Sequence, residues 1–290
     1  MTAKASPPFG HHPDSVRPDA GRPNATRPDA TRPDAGRSVA GRVLAVLDAF
    51  DASHRSLSLT ALARRAGLPL ATAHRLVASL TRWGALERDT SGAYHIGLRL
   101  WEVATLSPRG VGVREAALPF MEDLYEATHE NVQLAVRDGL EVVYVELISG
   151  RSAVHVRTRV GSRWPLHATG VGLVLLAYGP PGLGERVCAR PMRRFTERTI
   201  HDPARLRATL AEVRRTGIAV SDRQITMDGL SVAAPVRGPR GEVVASLSVV
   251  VPAAEGRAPG LIPAVRVAAH GISRTLAASW GQESLAEASG

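Results

Sequence analysis

The chain has 290 residues, 44% of them hydrophobic, and a formal net charge of +9, room for one large or two modest units that each bury a core. No apolar run approaches the roughly 20 residues of a membrane span, and the opening Met1-Thr-Ala-Lys-Ala-Ser-Pro-Pro lacks the apolar centre of a signal peptide. Cys188 stands alone, which excludes an internal disulfide and disfavours a cysteine metal site, so the expectation is a cytoplasmic protein whose charge suits an anionic partner, nucleic acid first.

From Arg17 to Arg37 the chain repeats a pentad of the form Arg-Pro-Asp-Ala-Gly with no large apolar residue. Nothing there offsets the entropy of ordering, so residues 1–37 are expected to be a disordered tail, either merely solvated or leaning on DNA phosphates. Order is predicted from Ser38. Val39, Val43, Val46, Leu47 and Phe50 recur at helical spacing. A second short helix spans 58–66, with Ser58 as N-cap and Gly67 as its stop. After Pro69 a third helix runs over 70–83, with Ala73, Leu76, Val77 and Leu80 as its apolar stripe. Residues 85–97 fold back around Thr90-Ser-Gly92 as a hairpin, with Trp83 and Tyr94 as core plugs beneath it. Helix, helix, tight turn, helix and hairpin is the order of a winged helix-turn-helix, here assigned to residues 38–98.

Residues 99–110 are read as a linker helix broken at Pro108-Arg-Gly110. Residues 111–282 form the second unit, followed by a tail at 283–290. Within it the pattern predicts an amphipathic helix over 113–128 and strands over 132–137 and 141–148. A further strand is expected over 152–160, and helices over 169–178, 182–189 and 203–216. A hairpin follows at 231–251, and a last helix over 260–279. The expected fold class is α+β: a winged helix-turn-helix followed by a domain built on a mainly antiparallel sheet.

Four stretches give the chain a family resemblance: Leu57-Ser-Leu-Thr-Ala-Leu-Ala-Arg-Arg-Ala-Gly-Leu-Pro69, Thr72-Ala-His-Arg-Leu-Val-Ala-Ser-Leu80, Trp164-Pro-Leu-His-Ala-Thr-Gly170 with the apolar helix after it, and Val232-Ala-Ala-Pro-Val236. On these the chain resembles the IclR-type bacterial transcriptional regulators from about Arg37 to Trp280. The resemblance implies a GAF-like α/β effector-binding domain, a homodimer or homotetramer, double-stranded operator DNA as partner, and a small organic or aromatic acid as effector. Two departures stand out. Ala61 replaces the family's usual glutamate, which removes half of a capping box. Leu70-Ala71 replaces the polar pair that commonly opens the recognition helix.

The DNA-binding candidates are Ser58, Thr72, His74, Arg75, Ser79, Arg82 and Arg88. Arg75 is the foremost, because a guanidinium can bridge guanine O6 and N7. The resemblance carries the effector-binding role to Leu166, Thr169, Gly170, Val171, Ser221, Asp222, Ser231 and Ser248. Unpaired amides where 169–178 begins suit a carboxylate. Ser231 and Ser248 share a sheet face with apolar neighbours, and their hydroxyls need a partner, either a ligand or a backbone carbonyl. Arg157, Arg159 and Arg163 could counter an acid or form a surface cluster. The chain has no Gly-x-Ser-x-Gly elbow and no His-x-x-x-His pair, and a lone Gly170-Val-Gly172 lacks the strand and acid of a dinucleotide site. No catalytic residue, metal site or cofactor is expected. The alternative function is a small-molecule-binding protein that has lost specific DNA recognition, which the apolar Leu70-Ala71 keeps open.

Overall fold

The computed structural model describes residues 38–149, 158–253 and 257–287. The Arg-Pro repeats, Arg157, and residues 152–157 of the expected third strand of the second unit lie outside them.

In the N-terminal unit α1 (Val39–Leu47) starts where Ser38 Oγ accepts the Gly41 amide at 3.1 Å. It stops at Leu47, earlier than periodicity predicts, although Ala49 and Phe50 remain buried. Strand β1 (Ser56–Leu57) precedes α2 (Leu59–Ala66), whose N-cap Ser58 accepts the Ala61 amide at 3.2 Å. That half of the capping box holds without a glutamate at 61. Gly67 ends α2 at φ +66°, a left-handed conformation that costs glycine least, and the Leu68 amide reaches back to the Ala63 carbonyl. Recognition-type helix α3 (Leu70–Trp83) follows. Leu62, Ala66, Ala73 and Val77 close one core with Val46, Phe50, Leu57 and Leu86.

Strands β2 (Leu86–Arg88) and β3 (Tyr94–Ile96) make the wing, and β1 pairs on the far side of β3 to complete a three-stranded sheet. At the wing tip Asp89 Oδ1 accepts the amides of Ser91 and Ala93 at 2.9 and 3.0 Å, a local bond set that fixes the turn. Tyr94 packs against the core, as expected. Trp83 does not. It is 52% exposed, because fully buried Leu86 fills the space beneath the hairpin, and Arg99 lies over its ring at 5.7 Å.

Helix α4 (Leu98–Thr105) ends before Pro108, and a single π-helical turn (Pro108–Gly112) carries the chain directly into α5 (Val113–Thr128). The second unit is built on a six-stranded sheet of β4 (Asn131–Asp138), β5 (Glu141–Ile148), β6 (Arg163–Pro165), β7 (Ala219–Asp222), β8 (Gly229–Arg237) and β9 (Val243–Pro252). The spatial order is β6-β5-β4-β9-β8-β7, and every neighbouring pair is antiparallel. Residues 158–160, the visible end of the expected strand over 152–160, form no strand; β6 takes the edge position instead.

Helices cover both faces. Helix α5 and the terminal α9 (Arg257–Glu287) pack Met121, Leu124, Ile272 and Leu276 onto Leu134, Val232 and Leu247. Helix α9 runs on past the boundary expected at 282. On the other face lie α6 (Gly170–Ala177), α7 (Leu183–Cys188) and α8 (Pro203–Thr216), which enclose Tyr144, Trp164, Leu173 and Leu206 in a second core. Every residue of α6 is buried, as befits a helix that is apolar all round and sandwiched between a sheet and another helix.

Candidate DNA-binding face and effector cavity

On α3 the buried side is Ala73, Leu76 and Val77, so His74, Arg75, Ser79 and Arg82 stand in solvent and Thr72 is half-buried. These five expected residues therefore share the outer side of the recognition helix. Ser79 Oγ donates to the Arg75 carbonyl at 3.1 Å, which leaves its lone pairs as acceptors. Ser58 stays exposed but is committed to its cap. Arg88 belongs to the wing, where Nε donates to the Gly92 carbonyl at 3.1 Å and the guanidinium lies 5.5 Å over the Tyr94 ring. Leu70, at the head of α3, is 52% exposed. Thr60 and Arg64, one turn apart on the exposed side of α2, carry similar chemistry and are not singled out by the sequence. Arg65, by contrast, is structural: its guanidinium donates to the Ala49 carbonyl and to Asp51 Oδ2, both at 2.6 Å.

In the second unit Gln133, Ser221, Ser231 and Ser248 gather on the sheet face that looks towards α6, while the buried Glu146 pairs with Arg114 of α5 on the other face. Antiparallel register places Ser221, Ser231 and Val250 side by side, and next to that row Ala233, Ser248 and Gln133. Over them lies a cavity that contains about 580 Å³ of space free of protein atoms, its mouth included. Its lining includes Gln133, Tyr144, Thr158, Trp164, Thr169, Gly170, Val171, Ser221, Gln224, Thr226 and Ser231. Among the described residues no Asp, Glu, Lys, Arg or His belongs to the lining.

The N-terminus of α6 forms one wall. Thr169 Oγ1 accepts the Gly172 amide at 3.0 Å and the Thr169 carbonyl accepts Leu173, so among the described residues the amides of Gly170 and Val171 have no acceptor. A β-carbon on Gly170 would stand 2.6 Å from Ser231 Oγ, so only glycine lets helix and strand approach this closely. Burial pushes the Tyr144 phenol well above its ordinary range, partly offset by its hydrogen bonds with the Thr169 and Thr158 side chains. It remains a neutral hydroxyl at physiological pH.

Of the eight residues expected at the effector, five line this cavity: Thr169, Gly170, Val171, Ser221 and Ser231. The other three do not. Leu166 is fully buried in the core beneath α6. Asp222 points elsewhere on β7 and pairs with Arg223 at 3.2 Å, because side chains alternate along a strand. Ser248 is buried in the sheet opposite Gln133 rather than in the lining. Arg163 pairs with Asp138 at 2.5 Å and Glu141 at 3.3 Å, and the exposed Arg159 closes a turn with Ser162. Gln133, Tyr144, Trp164 and Gln224 are lining residues that the sequence reading missed. A glutamine inside the apolar run Val132-Gln-Leu-Ala-Val136 was a signal for the first, and Trp164 opens one of the stretches that carry the resemblance; nothing local marks Tyr144 or Gln224.

A second cavity, beside β6, is bounded by Arg163, His167, Arg190, Arg193 and Phe195. Arg193 lies 4.7 Å over the Phe195 ring, and burial lowers the pKa of His167, whose Nε2 meets the Arg193 carbonyl at 3.0 Å.

A winged helix-turn-helix joined to an antiparallel-sheet domain with a partly open cavity, lined by polar and apolar side chains, defines a class: helix-turn-helix transcriptional regulators with a C-terminal effector domain. Residues 39–90 match the IclR helix-turn-helix domain, and residues 107–274 match the C-terminal domain of the bacterial transcriptional regulator IclR. The chain belongs to the IclR family.

Similar proteins agree. The HTH-type transcriptional regulator KipR of Bacillus subtilis is 33% identical over 225 residues, 76% of this chain and 90% of its own length. The glycerol operon regulatory protein of Streptomyces coelicolor is 32% identical over 241 residues, 81% and 94% of the two chains. Among solved structures, an IclR homologue from Microbacterium hydrocarbonoxydans in complex with 4-hydroxybenzoate is 36% identical with a TM-score of 0.80, covering 83% of this chain and all of that one. No helix among the described residues is long and apolar enough to cross a membrane.

Proposed function

We propose that this regulator binds operator DNA through the outer side of α3, and that a small organic or aromatic acid enters the cavity at α6 and alters operator binding. The observation that carries the effector half is the pair of buried, unpaired amides of Gly170 and Val171 at a helix N-terminus, where partial positive charge favours a carboxylate. The aromatic acid held by the Microbacterium homologue supports the same class of ligand for this chain. On the DNA side, Arg75 reads a base edge, while Thr72, His74, Ser79, Arg82 and the wing residue Arg88 meet the backbone; Ser58 holds α2 in place. The acid acts by favouring one arrangement of paired heads over another, since a ligand shifts an equilibrium only through differential affinity. The protein works in the cytoplasm as a homodimer or homotetramer. The exposed Leu98, Trp101 and Leu106 of the connecting segment, 63, 65 and 80% accessible, favour a second copy as the cover.

The test is selection of fragments from the source genome by the purified protein at about 150 mM salt, with and without added aromatic acids. A few fragments sharing an inverted repeat, released or tightened by one of the acids, are expected. Retention of bulk DNA or none overturns the regulator reading in favour of a small-molecule-binding protein without DNA specificity.

A further inference from the structure

The cavity beside β6 differs in kind from the one at α6. It contains about 870 Å³ of space free of protein atoms, its mouth included. Its apolar walls include Leu140, Pro165, Val187 and Met192. Its charged groups are Arg163, Arg190 and Arg193 against a single carboxylate, Glu141. Arg163 is already shared between Asp138 and Glu141. Arg190 and Arg193 are exposed, and among the described residues neither guanidinium has a hydrogen-bond acceptor or a carboxylate partner. Arg193 lies 4.7 Å over the Phe195 ring. Stacking engages the face of a guanidinium and leaves the N–H groups on its rim for an acceptor.

The segment that carries both arginines is held in place before any ligand arrives. His167 Nε2 meets the Arg193 carbonyl at 3.0 Å, the Phe195 amide donates to Thr199 Oγ1 at 3.0 Å, and the Phe195 ring packs on Trp164 at 5.3 Å between centroids. A fixed backbone lowers the ordering cost of binding. Two guanidinium groups without partners suit a doubly charged anion, since a monocarboxylate supplies charge for only one. A phosphate monoester carries a charge of about −1.5 to −2 at neutral pH and three acceptor oxygens on one atom, and guanidinium groups bind such oxygens in pairs. We propose that this cavity is a second ligand site, separate from the one at α6, which takes a small phosphate monoester with an apolar body. Arg190 and Arg193 hold the phosphate, and Leu140, Val187 and Met192 receive the body.

The experiment is a phosphorus NMR titration of the full chain with phenyl phosphate, whose signal follows this probe alone. Binding with a Kd below about 1 mM is expected, with inorganic phosphate and phthalate displacing the probe only at concentrations at least about tenfold higher, and benzoate not displacing it. Arg190→Ala and Arg193→Ala should each weaken binding about tenfold or more, the effect of losing a hydrogen bond to a charged group. Arg240→Ala, in the exposed β8–β9 turn, should change it less than about twofold. No binding at about 10 mM overturns the inference, and so does displacement by inorganic phosphate or phthalate at equal concentration. An equal loss in Arg240→Ala would show attraction to net charge rather than a site. Displacement by benzoate, or a loss in Arg193→Ala without one in Arg190→Ala, would move the probe to the α6 cavity through Phe195 and Trp164 and overturn the second site.

Discussion

On α3, Arg75 and Arg82 stand in solvent on the outer side of the helix, whereas among the described residues the cavity over the sheet is lined without a single Asp, Glu, Lys, Arg or His. On the proposed reading both regions receive anions. A DNA phosphate keeps most of its hydration and its counterions until contact, so exposed, flexible guanidinium groups suffice and the attraction is screened by salt. A small acid inside the fold loses its hydration altogether, and a buried cation would carry its own desolvation cost in the empty state. Backbone amides at a helix N-terminus avoid that cost, because their dipoles are already fixed by the helix. Residue type decides the first kind of site, and chain geometry decides the second.

Salt separates the two most sharply. If the head makes about six or more phosphate contacts, operator affinity should fall about a thousandfold between 50 and 200 mM salt, whereas acid affinity should change less than about threefold. Filter binding and calorimetry over the same salt series would measure both, and a steep salt dependence of acid binding would break the comparison. Next in size is Ser231→Asp, which places a carboxylate beside Gly170 at the head of α6. Like-charge repulsion in a buried site should weaken acid binding about a hundredfold or more while the acid-free protein keeps its operator affinity. Equal losses in both assays would show that the strand, rather than the charge, had been disturbed.

Arg75→Ala tests the other region. Operator affinity should drop more than about tenfold, within the roughly 1–3 kcal/mol of a bidentate base contact, with acid binding unaltered; near-native operator affinity in a gel-shift titration would remove Arg75 from the reading surface. The smallest effect expected is with pH. Tyr144, raised by burial, keeps its proton, and the lining among the described residues holds no carboxylate, histidine or lysine. Affinity for a benzoate-type acid, already ionised, should therefore vary less than about twofold from pH 6 to 9. A clear inflection in that range would reveal an ionisable group at the pocket beyond the described lining.

Much of the head was legible residue by residue. Ser58, Gly67, Pro69 and Gly84 mark helix ends through local backbone chemistry, and the 3.6-residue spacing of Ala73, Leu76, Val77 and Leu80 sets which side of α3 faces out. The cavity lining was legible only where a motif touched it, at Thr169, Gly170 and Val171 and on the strand serines Ser221 and Ser231. Trp83 was misread because periodicity alone places it on the stripe, while tertiary packing had already filled that space with Leu86.

The sequence by itself determined the two-unit organisation, helices α2, α3, α5 and α8, and the β4–β5 and β8–β9 hairpins. Each of these depends on interactions within a few residues along the chain: a cap, a turn, a period. Only the tertiary structure decided the rest. Strands β1, β6 and β7 have two, three and four residues, too few to carry a period, and exist because a neighbouring strand offers them a ladder. The β4–β9 pairing joins segments more than a hundred residues apart, and it is this pairing that sets Gln133 beside Ser248. With β6 bringing Trp164 to the same cavity and the β7–β8 loop bringing Gln224, the ligand chamber depends on non-local contacts, whose partners no local pattern in the chain specifies.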